Sequence, residues 1–179
     1  MVGKCIELFR NEYLTQFLRL VSLPSDGVWI PITLTLLVAL LIFVYKKDKL
    51  FATILIIAPL VGNTVKYWLK NMYTVSRPEV FGCEVLTTYT DKYAFPSGHV
   101  IFITIFFGLL TYYSVKHFHE WWAKIVLPIS LLLVISVGYS RIYLGAHWYL
   151  DVMAGYFIGW AIFVISTILY KYLTTEENV

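Results

Sequence analysis

Apolar residues recur along this chain in five long runs separated by short polar stretches, an alternation that predicts five membrane-crossing helices. The runs cover residues 28–45, 50–70, 97–115, 122–139 and 148–172. Each falls within the roughly 17–25 residues that a helix needs to cross a hydrocarbon core about 30 Å thick. Lys46-Lys47-Asp48-Lys49 closes the first run, and the second extends to Lys70 or a turn beyond. Pro59 lies inside that second run, so a kink and a freed carbonyl are expected there. Lys116-His117-Phe118-His119-Glu120 ends the third. In the fifth, Gly155 and Gly159 are one helical turn apart and let another backbone approach closely.

Residues 3–22 follow a different period. Ile6, Phe9, Tyr13, Phe17 and Leu20 recur at three- and four-residue steps, while Lys4, Glu7, Asn11, Thr15 and Arg19 fall opposite. Such a helix lies in the membrane interface and does not cross. Leu23-Pro24-Ser25-Asp26-Gly27 then breaks it. Charges interrupt the first twenty residues, so no signal peptide is read there. The expected fold class is all-α: a polytopic membrane helix bundle, five to six transmembrane helices with an N-terminal amphipathic helix, forming one domain over residues 1–179.

Composition agrees. At 59% hydrophobic and 14% charged residues over 179 positions, with a mean hydropathy of +0.73, the chain is too apolar for an ordinary soluble domain. The net charge of +3 is spread out, and no basic run of the kind that binds nucleic acid occurs. Cys5 and Cys83 can pair only if both face one oxidising compartment; otherwise they are two free thiols. His117 and His119 lack a matching ligand pair nearby and, beside Trp121-Trp122, read as a surface turn at an interfacial aromatic belt. Oligomeric state is not legible.

Three polar clusters interrupt this pattern: Lys70 to Pro78 at the end of the second run, Pro96-Ser97-Gly98-His99 at the start of the third, and Ser140 to Asp151 between the fourth and fifth. Chain direction alternates with each crossing, so all three emerge on one face of the membrane. If the second helix continues past its span, the seven residues from Lys70 to Arg77 make almost two turns and both cations point the same way. Ser97 is placed to cap the third helix, and Gly98 to let a ligand reach N–H groups at its start. His99 sits in its first turn. His147 and Asp151, four apart, share a face if the fifth helix begins there, an arrangement in which a carboxylate holds one ring nitrogen and leaves the other as a nucleophile. A satisfied interfacial pair is the alternative reading of those two residues, and positive-inside charge is the alternative for Lys70 and Arg77.

Taken together, Lys70, Arg77 and Arg141, donors near Ser97 and Gly98, and two histidines suit a group carrying about two negative charges, because phosphoryl transfer is catalysed mainly by placing and neutralising oxygens. Asp151 is the one carboxylate in the three clusters, so no metal site is expected and arginines take the role of a divalent cation.

These clusters resemble the signature of the type 2 phosphatidic acid phosphatase family of membrane lipid phosphatases: Lys, six residues, Arg-Pro; Pro-Ser-Gly-His; Ser-Arg, five residues, His, three residues, Asp. Here they stand as Lys70…Arg77-Pro78, Pro96-Ser97-Gly98-His99 and Ser140-Arg141…His147…Asp151 without departure. The resemblance covers about Asn63 to Gly155. It implies a two-step reaction without cofactor or metal, in which His147 takes the phosphoryl group, Asp151 orients His147, and His99 protonates the leaving oxygen and then activates water. Lys70, Arg77, Ser97, Gly98 and Arg141 correspond to the phosphate cradle. Family members commonly have six spans, so an interfacial first helix is a departure. The substrates it implies are phosphorylated membrane lipids: undecaprenyl diphosphate, phosphatidylglycerol phosphate, phosphatidic acid or the 1-phosphate of lipid A.

Two other classes compete. The same motifs occur in soluble vanadium haloperoxidases, against which the apolar composition argues, and intramembrane charges can mark a transporter or scaffold, against which their concentration at one face argues. Six lysines opposite the clusters against five cations beside them, the cradle set aside, favour an active site on the extracytoplasmic side of a bacterial inner membrane. The loop from Glu79 to Phe95, with Phe81, Tyr89 and Tyr93, either covers the site or is an ordinary solvated loop.

Overall fold

The computed structural model describes residues 11–176 apart from Val28, Cys83, Thr90, Phe118 and His119. The first turns expected at 3–10, any pairing of Cys5 with Cys83, and His119 lie outside the described residues. Among the described residues six α-helices follow in order: α1 (Glu12–Ser22), α2 (Trp29–Leu41, continued by a π-helical turn Ile42–Lys46), α3 (Lys49–Tyr73), α4 (Gly98–His117), α5 (Glu120–Tyr143) and α6 (Tyr149–Glu176). Among the described residues five segments are long and apolar enough to cross a membrane: Trp29–Lys46, Lys49–Tyr73, Gly98–His117, Lys124–Tyr143 and Tyr149–Thr175. These are the five runs of the sequence, with the fourth extended so that Ser140 and Arg141 lie inside its helix. The 11 residues of α1 reach about 16 Å, too short to cross.

α4 is apolar on every side, and it occupies the centre, packed on α3, α5 and α6. Phe51, Leu55, Ile101, Ile105, Phe106 and Leu109 form the buried core between α3 and α4. Gly155 and Gly159 bring α6 against α4: a Cβ on Gly155 would stand 2.9 Å from the Val100 Cβ and 3.0 Å from the Ser97 carbonyl, and one on Gly159 would stand 2.8 Å from the Thr104 Cβ. Backbones this close are what small residues at a helix interface permit.

The far end of the bundle is tied by Asp48. Its carboxylate caps α3 at the Phe51 N–H (2.9 Å) and accepts from the Tyr170 hydroxyl of α6 (2.5 Å). The α3–α4 and α5–α6 connections therefore lie at the opposite end, where the three clusters meet.

α1 packs on the end of α5 with the side that the periodicity marks as polar. Leu18 is buried with Tyr143 and Leu144, the Asn11 N–H donates to the Tyr143 hydroxyl at 2.8 Å, and the Arg19 guanidinium donates twice to the Leu86 carbonyl, at 2.9 and 2.6 Å. Tyr13, Phe17 and Leu20 face outward, 85%, 56% and 63% exposed. The polar side of this amphipathic helix thus faces the protein. Asn11, Thr15 and Arg19 bond to the protein, because carbonyls and hydroxyls at the end of α5 and in the 79–95 loop offer them partners, and the apolar face is left for the bilayer interface.

Candidate active site

Thr74 decides the first cluster. It adopts a left-handed conformation (φ 45°), its N–H closes on the Lys70 carbonyl, and α3 stops at Tyr73. Lys70 and Arg77 therefore do not stack on one helix, as a continued α3 would require; they approach across a chain reversal. The Lys70 ammonium donates to the carbonyls of Tyr93 and Ala94 and lies 3.7 Å from the Asp91 carboxylate. Arg77 Nε donates to the Asp91 carbonyl at 2.9 Å, and its Nη1 to the Ala146 carbonyl at 2.7 Å. The Tyr89 ring lies 3.8 Å from the guanidinium carbon. Burial lowers Arg77 from its ordinary value, with Tyr89 and Asp91 acting in the opposite direction. It remains a cation.

Ser97 and Gly98 open α4 differently from expectation. The Ser97 hydroxyl is buried without a hydrogen-bond partner among the described residues, so it caps nothing. The backbone does the joining: the Ser97 N–H donates to the Asp151 carbonyl at 3.1 Å, binding the start of α4 to the first turn of α6. A Cβ on Gly98 would lie 2.5 Å from the Lys66 Cδ. The missing side chain admits the stem of Lys66 as well as exposing the helix start. His99, one residue on, points its Nε2 at Asp26 Oδ1, 2.7 Å away.

In the third cluster Arg141, 1% exposed, donates from Nη2 to the Ser22 hydroxyl at 2.6 Å and from Nε to the Ser140 hydroxyl at 3.3 Å. Gly145, left-handed at φ 74°, turns the chain, and the N–H groups of Ala146 and His147 return to the Arg141 carbonyl. His147 precedes α6, so it does not share a helical face with Asp151. Instead the Asp151 carboxylate folds back over the helix start and accepts the Trp148 N–H at 2.8 Å, which leaves the same oxygen 3.5 Å from His147 Nδ1. That Nδ1 is buried with no hydrogen-bond partner among the described residues. Burial holds His147 well below its usual value, and Arg77, Lys70, His99 and Arg141 push the same way. The result is a neutral imidazole with one nitrogen near a carboxylate and the other free for chemistry.

His99, Gly98, Arg77, Arg141 and His147 line one cavity of about 480 Å³ together with Asp26, Lys66, Thr88, Tyr89 and Asp91. Lys70 and Ser97 are not among its walls; Lys70 braces the 91–94 segment behind Arg77 and Asp91. Thr88, Tyr89 and Asp91 of the 79–95 loop wall the site. Within it, burial and Glu79 raise the Tyr89 phenol to about 12, with Arg77 opposing. Besides these polar groups the cavity is lined by Ile32 and Leu36 of α2, Leu60 of α3 and Phe102 of α4. Asp26, Lys66 and Asp91 escape a motif reading. Lys66 stands one turn before Lys70 and was visible by that spacing, whereas Asp26 and Asp91 lie in turns far along the chain and carry no local signal.

The family model described as the PAP2 superfamily matches residues 49–175. An undecaprenyl-diphosphatase of Sulfolobus acidocaldarius is 33% identical over 170 residues, 88% of this chain and 74% of that one. Phosphatidylglycerophosphatase B of Bacillus subtilis is 25% identical over 170 residues, 92% of this chain and 79% of the other. The crystal structure of a transmembrane PAP2-type phosphatidylglycerolphosphate phosphatase from Bacillus subtilis superposes with a TM-score of 0.83 at 22% identity, over 92% of this chain and 80% of that one, a likeness of fold.

Proposed function

The chain belongs to the PAP2 superfamily, and on that premise we propose that it removes phosphate from a membrane lipid through a phosphohistidine on His147. It is an integral membrane lipid phosphatase, a phosphoric ester hydrolase. One observation carries the mechanism: a single cavity joins two histidines, two arginines and a lysine to apolar side chains of the membrane-crossing helices α2, α3 and α4. Phosphate binds at the polar end and the lipid chain lies along α2 and α3.

In the first step the free ring nitrogen of His147 attacks phosphorus while Asp151 holds the Nδ1 side. The bond to the lipid oxygen breaks as His99 supplies its proton. In the second step His99 takes a proton from water, the water oxygen attacks phosphorus, the P–N bond breaks, and inorganic phosphate leaves with His147 restored. Arg77, Arg141 and the N–H groups at Gly98 neutralise the oxygens. Lys70 serves by holding the segment that carries Asp91, and Ser97 by its N–H, which ties the start of α4 to Asp151.

The proposed substrates are undecaprenyl diphosphate, phosphatidylglycerol phosphate, phosphatidic acid and lipid A 1-phosphate, led by the first two because the similar proteins are named for them. A vanadate-dependent oxidant or a transporter is not favoured, since each relative named above is a phosphatase. The proposed location is a bacterial inner membrane with the site on the extracytoplasmic side. The balance of lysines supports it: six lie at the Asp48 end of the bundle. Phosphate release from this panel by the purified protein, with EDTA and no added metal, tests the reading. Turnover abolished by the chelator and restored by a divalent cation counts against it. Labelling of single cysteines at Thr87 and Lys47 by a membrane-impermeant thiol reagent tests the orientation.

A further inference from the structure

Asp26 lies outside the residues that the family model matches and outside all three motifs, yet it reaches the centre of the site. Its Oδ1 stands 2.7 Å from His99 Nε2 and 3.6 Å from Arg141 Nη1. The shorter contact is a hydrogen bond and the longer is not. Arg141 gives its hydrogen bonds to the Ser22 and Ser140 hydroxyls, so the hydrogen bond of the carboxylate goes to the imidazole, with the guanidinium as an ion-pair neighbour. The turn that presents it is built for the purpose: the Ser25 hydroxyl donates to the Ser22 carbonyl, the Asp26 N–H to the Leu23 carbonyl, and Gly27 is left-handed at φ 63°.

We propose that Asp26 is a positioning residue for the lipid phosphatase reaction, holding His99 by Nε2–H so that Nδ1 is the nitrogen that exchanges the proton with the leaving oxygen and then with water. This rests on the role given to His99 above. A carboxylate on one ring nitrogen fixes the tautomer and the plane of the ring and strengthens the base at the other. The N-terminal segment, docked on α5 through Leu18 and Tyr143, thereby supplies a part of the active site that the matched residues lack. Such a residue matters most where the leaving oxygen needs a proton, and little where it does not.

The test uses full-length protein in detergent and first-turnover rates with two probes: dioctanoyl phosphatidic acid, a poor leaving group, and p-nitrophenyl phosphate, a good one. Asp26→Asn is nearly isosteric and is expected to slow the first probe by about 10–100-fold and the second by less than about threefold. Asp26→Glu recovers part of the loss. His99→Ala, run alongside, is expected to show the same selectivity with a larger amplitude. Selective loss in His99→Ala with equal loss on both probes in Asp26→Asn overturns the role of Asp26 alone. No selectivity in His99→Ala overturns the acid assignment and the inference with it. A lower KM for both probes in Asp26→Asn, with the ratio of rates unchanged, means that the carboxylate only competes with phosphate, and also overturns the proposal.

Discussion

Asp151 Oδ2 serves two partners at once, accepting the Trp148 N–H at 2.8 Å and standing 3.5 Å from His147 Nδ1. One carboxylate thus starts α6 and faces the proposed nucleophile, and helix capping and orientation of the imidazole become a single structural event. Contacts of this length commonly tighten in the Michaelis complex.

The two roles separate by substitution. Asp151→Asn keeps an oxygen for the Trp148 N–H and removes the charge, so the melting temperature in detergent stays near wild type while turnover falls on the order of 10²–10⁴-fold. Asp151→Ala loses the cap as well, a further cost of about 1 kcal/mol. Turnover within a few-fold of wild type in Asp151→Asn contradicts the orienting role.

Rapid quenching with a labelled aryl phosphate distinguishes the histidines. His147→Ala should form no phosphoenzyme. His99→Ala should form one and hold it, because the base that activates water is gone while a good leaving group needs little protonation. An acid-labile, alkali-stable label of equal size in both variants would sink the assignment.

His147 has a folded pKa below the ordinary 6.5, so the unfolded chain binds the proton more readily. Its contribution to stability is full above about 6.5 and is lost progressively as pH falls from there towards the lowered folded value. In the unliganded protein the His147 imidazole resonance, assigned by difference from His147→Ala, is expected to show no protonation between pH 7.5 and 6. A midpoint at or above 6.5 by NMR disproves the shift.

Arg77 donates to two carbonyls, Asp91 and Ala146, and lies over Tyr89. Lysine cannot reproduce a planar fork with a ring beneath it. Arg77→Lys is therefore expected to lower kcat by about 10²–10³-fold, measured with the best substrate of the panel, and an unchanged kcat would show that charge alone suffices.

Gly155→Val places a branched side chain where even a Cβ lies 2.9 Å from Val100 and 3.0 Å from the Ser97 carbonyl. Overpacking of this kind costs about 1–3 kcal/mol, read as a lower melting temperature. Because Ser97 joins α4 to Asp151, activity should fall even where the protein stays folded. Gly159→Ala, a turn further from the site against Thr104, should destabilise with activity retained at low temperature.

The five crossings, the shared face of the three clusters and the family were all legible along the chain, because bilayer thickness, alternation of direction and motif spacing are local or one-dimensional properties. Local rules misplaced what depends on reversals. Lys70 and Arg77 were expected on one helix, but Thr74 turns the chain; His147 and Asp151 were expected on one helix, but His147 stays outside it and Asp151 folds back. Asp26 and Asp91 were out of reach for another reason. Each is an ordinary turn residue until α1 docks on α5 and the 79–95 loop folds over Arg77. Only the packed bundle decides which carboxylate faces which cation, since charge pairing inside it is set by which backbones come close, and here glycines and chain reversals bring them together.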